Sequence, residues 1–168
     1  MHRSRSDYKT KRPELSTING SRPPELVDRL PSQVADAGID PTKLAFEITE
    51  TAAIEDIGHA QKLVDRLAAL GCAIVLDDFG SGFSSFLYLK HLRCDSLKIE
   101  GEFVKHLATN TVDRLTVQAI VQIARGLGKT TVAEWVEDQA TVEVLRELGA
   151  DYGQGFHLGR PAKTGPPI

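Results

Sequence analysis

From Glu25 onward two hydrophobic patterns take turns along the chain: short β-branched apolar runs, and longer stretches whose apolar residues recur at helical spacing. The short runs predict strands at 44–49 (LAFEIT), 73–78 (AIVLDD), 96–100 (SLKIE) and 130–135 (TTVAEW), with a weaker one near 152–158 (YGQGFHL). Between the first two, Ile54, Ile57, Leu63, Val64, Leu67 and Leu70 fall on one helical stripe, and Gly71 stands where a C-terminal cap belongs. Leu115, Ala119, Ile120, Ile123, Ala124 and Leu127 stripe a second helix closing at Gly128, and Val142, Leu145 and Leu148 a third closing at Gly149. Pro31, inside ELVDRLPSQVADAG, removes a backbone donor and predicts a restart or kink of the first helix. Helices alternating with buried strands predict an α/β fold of about five parallel strands joined by crossovers, either an open doubly wound sheet or a (β/α) barrel. Periodicity does not separate these two.

The first two dozen residues break the pattern. They mix basic, small and Pro/Gly residues with almost no apolar periodicity, and predict a disordered basic leader over 1–24 followed by one domain over 25–168. The Lys and Arg residues from Arg3 to Arg12 could touch phosphate or an acidic membrane surface, but a solvated leader is the plainer reading. Of the 168 residues, 41% are hydrophobic and 26% charged, an ordinary balance for one folded domain. A net charge of -3 gives no reason to expect nucleic acid as a partner, so any polyanion must be held by a local site. Cys72 and Cys94 lack a CxxC spacing and are read as free thiols in a reducing cytosol, without a catalytic role. No apolar run approaches the roughly 20 residues that span a bilayer, and the N-terminus has no apolar stretch of the signal-peptide kind, which predicts a cytoplasmic protein.

The candidate chemistry lies in where the ionisable residues fall on the strands. Glu47 lies in LAFEIT, Asp77 and Asp78 end AIVLDD, Lys98 lies in SLKIE, and Glu134 is near the end of TTVAEW. In parallel α/β folds the C-terminal strand ends share one rim, where ligands bind. Carboxylates gathered there need cations or hydrogen bonds, and with no Cys or His pair beside them they favour a hard cation such as Mg²⁺ or Mn²⁺. Two adjacent aspartates suit a pair of ions in the attack of a metal-activated water on a phosphodiester, with Lys98 orienting the water or neutralising charge. A salt-bridge cluster that merely stabilises the rim is the alternative for any one of these residues; it weakens when all coincide. The loop DDFGSGFSS has the flexibility to close over a phosphate, although a Gly-Ser turn before a helix is usually a turn and nothing more. Without companion motifs its DFG triplet does not indicate a kinase.

Five blocks together resemble EAL domains: FEITE (46–50), DDFGSGFSS (77–85), LKIE (97–100), VAEWVE (132–137) and QGFHLGRP (154–161), in the family's order and spacing. The resemblance implies a (β/α)8 TIM-type barrel, here partial, whose rim binds two Mg²⁺ or Mn²⁺ ions and cyclic di-GMP and hydrolyses it to linear pGpG. By motif, Glu47, Asp77 and Asp78 would be metal ligands, Lys98 would position the attacking water and Glu134 would support the metal-water cluster. Gln154 would line the substrate pocket, and Glu50 would anchor the DDFGSGFSS loop. Ser81 and Phe83 stand where the family usually has Thr and Tyr, Glu100 replaces an Asp, and Trp135 replaces a Gly, where an indole could crowd the rim beside Glu134. The family's Glu-Ala-Leu strand has no counterpart in these residues, and counting back from FEITE puts Leu15 at the place of its next ligand, an asparagine, unless a deletion brings Asn19 there. A truncated domain of this kind is expected to be inactive or weak alone; the alternative is a non-catalytic module binding cyclic di-GMP or a protein. Open sheet edges further predict a homo-oligomer or a partner that completes the barrel.

Overall fold

The computed structural model describes residues 14–18, 24–80 and 89–160. Six strands form one sheet in which every neighbouring pair is parallel: β1 (Glu14–Ile18), β2 (Leu44–Thr49), β3 (Ala73–Phe79), β4 (Ser96–Ile99), β5 (Thr130–Ala133) and β6 (Tyr152–Gly153). The strand order runs 1 to 6 without reversal. A doubly wound sheet reverses direction at a switch point, whereas a barrel adds each strand beside the last, so the order selects the barrel and gives a partial (β/α)8 architecture. The helices are α1 (Pro24–Asp36), α2 (Glu50–Glu55), α3 (Ile57–Ala69), α4 (Gly101–Lys105), α5 (Thr111–Gly126) and α6 (Gln139–Leu148).

Because successive strand residues point to opposite faces, each strand divides its side chains between two environments. Phe46, Ile48, Ile74, Leu76, Leu97, Ile99 and Ala133 share one core with Leu63, Val64 and Leu67 of α3, Val117, Ile120 and Ala124 of α5, and Val142 and Leu145 of α6. The other face carries Ala45, Glu47, Val75, Asp77 and Lys98, also buried. Burying a large aliphatic side chain such as Leu97 or Ile99 contributes about 1.5–3 kcal/mol, so the helix-covered face supplies most of the cohesion.

Several expectations change in detail. Glu14–Ile18, read from the sequence as part of a leader, is a strand paired with β2 in the register Leu15 to Ala45 and Thr17 to Glu47. Five residues among basic and turn-forming neighbours carry too little local pattern, and it is pairing with β2 that makes them a strand. Pro24 opens α1, and residues 1–13 and 19–23 of the predicted leader lie outside the described residues. Pro31 sits within a continuous α1, and the expected helix over 54–70 is two helices parted at Asp56, whose carboxylate caps α3 by accepting from the His59 N–H at 2.9 Å. On α5 the buried stripe is Val117, Ile120, Val121 and Ala124, and Leu115 and Leu127 are 60% and 52% exposed. Two apolar stripes compete on that helix, and the β-branched valines win the sheet side.

Opposite the site, the start of the sheet is closed by two aspartates. Asp95 accepts from the Ile74 N–H at 2.8 Å, and Asp151 accepts from the Thr131 N–H at 2.9 Å and its hydroxyl at 3.0 Å. Asp138 caps α6 by accepting from the Thr141 N–H at 2.7 Å, a backbone bond that holds its carboxyl below the usual range. Removing such a cap costs about 1 kcal/mol, so with a slope of about 1–3 kcal/mol/M Asp138→Ala should lower the urea midpoint by roughly 0.3–1 M with the slope unchanged, and an unshifted midpoint would show the cap to be inert.

Candidate active site

Register places the functional side chains on a single face. Glu47 pairs with Val75, Val75 with Ser96 and Ser96 with Thr130; one step of two residues further along lie Asp77 and Lys98, and Val132, which pairs with Lys98 and Tyr152, leads by the same step to Glu134 and Gln154. Every step is even, so Glu47, Asp77, Lys98, Glu134 and Gln154 share the face turned away from the helices.

Asp78 would point the other way on a regular strand. Between Leu76, which pairs with Leu97, and Phe79, which pairs with Ile99, two residues of β3 oppose the single residue Lys98. This is a β-bulge, and within it Asp78 takes φ 56°, a left-handed conformation that Asp tolerates better than most residues. The bulge re-aims the strand end, and oxygens of Asp77, Asp78 and Glu134 come within 4.8 Å of one another.

Lys98 sits at the centre. Its Nζ lies 2.7 Å from Glu134 Oε1, 2.8 Å from Asp77 Oδ1 and 3.1 Å from Glu47 Oε1, and the residue is only 6% exposed. Burial works against its charge, but hydrogen bonds to Asp77 and Glu134 outweigh it and hold the ammonium above its ordinary range, so Lys98 is a fixed cation at neutral pH. The carboxyls are less satisfied. Glu134 is raised by burial, against the pull of Lys98, and Asp78 by burial and then by Asp77. Glu100, beyond the end of β4, is raised by burial and then by Asp78. Among the described residues, four carboxylates, Glu47, Asp77, Asp78 and Glu134, face one ammonium. The surplus of negative charge on oxygen-only donors fits a hard divalent cation, with Asp77, Asp78 and Glu134 as the residues grouped to hold it.

Glu50, the first residue of α2, is fully buried and accepts from the Gly80 N–H at 3.4 Å, a long contact that ties it to the foot of the loop after β3. Residues 81–88 of that loop, with Ser81 and Phe83, lie outside the described residues. Leu15 holds register with Ala45, two residues before Glu47; Asn19 lies outside the described residues.

Gln154 belongs to a second feature beside the cluster. Its N–H donates to Ala133 O at 2.8 Å, its carbonyl accepts from the Val136 N–H at 3.1 Å, and the His157 N–H donates to Val136 O at 3.1 Å. This lacing brings Gly155 so near Val136 that any Cβ would strike its backbone. The result is a pocket of about 460 Å³ lined by Lys105, Glu134, Trp135, Glu137, Gln154 and Phe156. Of these, sequence reasoning picked out only Glu134, Trp135 and Gln154. Trp135 takes φ 50°, a conformation that costs a bulky residue about 1–3 kcal/mol and explains why a glycine is usual there. Phe156, 63% exposed with the Arg160 guanidinium 5.1 Å from its ring centroid, was missed because one aromatic in a turn carries no periodic signal.

With this geometry in hand, comparison with known proteins is decisive: residues 15–161 match the model of the EAL domain. The chain belongs to the EAL domain family. It is 45% identical over 118 residues to the cyclic di-GMP phosphodiesterase PdeB of Shewanella oneidensis, covering 70% of this chain and 14% of that protein. It is 41% identical over 136 residues to the bifunctional diguanylate cyclase/cyclic di-GMP phosphodiesterase MucR of Pseudomonas aeruginosa, covering 81% and 20%. The chain thus spans about a fifth or less of these relatives. Among solved structures, the PaMucR phosphodiesterase in complex with c-di-GMP superposes with a TM-score of 0.80 at 37% identity over 89% of this chain and 62% of that one. The manganese/cy-diGMP complex of BlrP1 from Klebsiella pneumoniae superposes at 0.79 with 28% identity over 88% and 38%. These EAL structures bear out the TIM-type barrel, and the second is solved with manganese, a cation of the class the oxygen donors favour.

Proposed function

We propose that this EAL domain binds cyclic di-GMP at the C-terminal rim of its sheet and contributes to metal-dependent hydrolysis of the messenger to linear pGpG. The observation that carries the reading is the cluster of Asp77, Asp78 and Glu134 against a single buried ammonium, Lys98. Mg²⁺ or Mn²⁺ would be held by Asp77, Asp78 and Glu134 with Glu47 as a further ligand, and would neutralise phosphate charge and make a bound water acidic enough to attack. Lys98 offers a positive charge where negative charge builds on the phosphoryl oxygens during attack. Hydrolysis forms one bond from water oxygen to phosphorus and breaks one phosphorus–ribose oxygen bond, whose leaving oxygen takes up a proton. Gln154 and the pocket around it stand beside Glu134, where a nucleotide attached to the reacting phosphate would extend.

Two departures set the expected level of activity. These 168 residues contain no Glu-Ala-Leu sequence, and counting back from FEITE puts Leu15 at the family's asparagine position unless a deletion brings Asn19 there. We expect calorimetry with cyclic di-GMP to show binding that requires Mn²⁺, and chromatography of the same samples to show slow release of pGpG or none. Binding with no pGpG would assign the chain to the non-catalytic members of its family, and no metal-dependent binding would sink the reading. The strands β1 and β6 each pair on one side only among the described residues, which supports association with a second copy or with a partner that supplies strands; light scattering tests it. Cytoplasmic placement belongs to the same proposal: Cys72 and Cys94 are free thiols, and no described helix is long and apolar enough to cross a membrane.

A further inference from the structure

Trp135 is the largest chemical departure in the site, and its placement shows which of its surfaces is available. The residue is 46% exposed although its neighbours Glu134 and Val136 are tucked into the sheet end. A Cβ on Gly101 would collide with its Cδ2 and stand 2.6 Å from Cγ and 2.7 Å from Cε2. Cδ2 is a ring-fusion carbon with three ring neighbours and no free edge, so anything that close approaches across the face of the indole. One face therefore rests against Gly101, where only glycine fits. The indole does not enter the ion-pair network of Lys98, whose three partners are Glu47, Asp77 and Glu134. Trp135 also lines the pocket that Gln154, Glu137 and Phe156 complete.

A flat aromatic wall, backed by rigid main chain and flanked by amide and carboxylate groups, is a surface on which a planar heteroaromatic ring stacks while its edge forms hydrogen bonds. We propose that Trp135 is a stacking platform for a purine base, and that it raises this chain's affinity above what the usual glycine would give. The proposal deepens the function proposed above and rests on it. Held on Gly101, the indole has little freedom to lose on binding, which favours a net gain.

Trp135 is the single tryptophan of the sequence, so intrinsic fluorescence reports on this position alone. The test is titration of the protein in Mn²⁺ with cyclic di-GMP, read by tryptophan emission and by calorimetry, repeated with Trp135→Gly and Trp135→Phe. Glycine accepts the φ of this site, and the phenylalanine variant keeps a stacking face, so a folding defect in one is checked against the other by thermal melts. Emission should be quenched with the same midpoint as the calorimetric Kd. Trp135→Gly should weaken cyclic di-GMP roughly 5- to 100-fold, and Trp135→Phe by less than about threefold, with Mn²⁺ affinity unchanged in both. Unquenched emission with equal Kd in the glycine variant would overturn the platform and leave the function proposed above intact, and tighter binding by that variant would mean the indole obstructs the pocket. Failure of the wild-type protein to bind cyclic di-GMP in Mn²⁺ would overturn the functional reading and the platform with it.

Discussion

Lys98→Met should destabilise the metal-free protein by about 3–5 kcal/mol, because it removes the one cation at 2.7, 2.8 and 3.1 Å from three carboxylates and leaves their charges buried together. Methionine fills a similar volume, so the loss is electrostatic rather than a cavity. The contrast that identifies the cause is added Mn²⁺: a divalent ion replaces the lost charge and should restore part of the stability, whereas Lys98→Arg in EDTA should retain much of it. Urea unfolding in EDTA and in Mn²⁺ gives all the comparisons. If Lys98→Met in EDTA matched the wild-type midpoint, the carboxylates would not be an ionised cluster held by this lysine.

Asp78→Asn is expected to separate folding from ion binding. Burial and the neighbouring Asp77 raise the Asp78 carboxyl, which means that the folded state disfavours its charge when no ion is bound. Asparagine removes that charge and accepts the left-handed φ of 56° as readily as aspartate, so the metal-free variant should melt no lower than wild type. Mn²⁺ affinity should fall by at least about 100-fold, since a bound ion loses a carboxylate ligand rather than a supporting group, and the thermal shift produced by Mn²⁺ should vanish with it. Unchanged Mn²⁺ affinity would show that Asp78 is not a ligand.

How much of this was legible in the sequence depended on where each signal resides. Strand β2 was predicted residue for residue and β3 to within one, because LAFEIT and AIVLDD are β-branched runs buried on both faces. The common face of Glu47, Asp77, Lys98 and Glu134 was approached through strand ends but needs the register to prove it, since parity holds across strands only once pairing is known. The bulge that brings Asp78 to its neighbours has no local signature; the run AIVLDDF gives no sign that two residues will oppose one. Strand β1 went unread because five residues carry too little pattern, and the α5 stripe was misread because Leu115 and Leu127 match helical spacing as well as Val117 and Val121 do. The carboxylate positions were found through chemistry; the pocket beside them came from main-chain lacing at Gly155 that composition does not encode.

The acids of this sheet work differently at its two ends. Asp95 and Asp151 are consumed by amide and hydroxyl donors at the start of the strands, whereas Asp77, Asp78 and Glu134 crowd the finish with more charge than one lysine can answer. Natural variation should therefore fall into two uncorrelated classes. A lesion at the first pole shows in yield and melting while the ligand constants of the surviving protein stay put, and one at the second that removes surplus charge, such as Asp78→Asn, leaves an abundant, well-folded protein that no stability screen would flag.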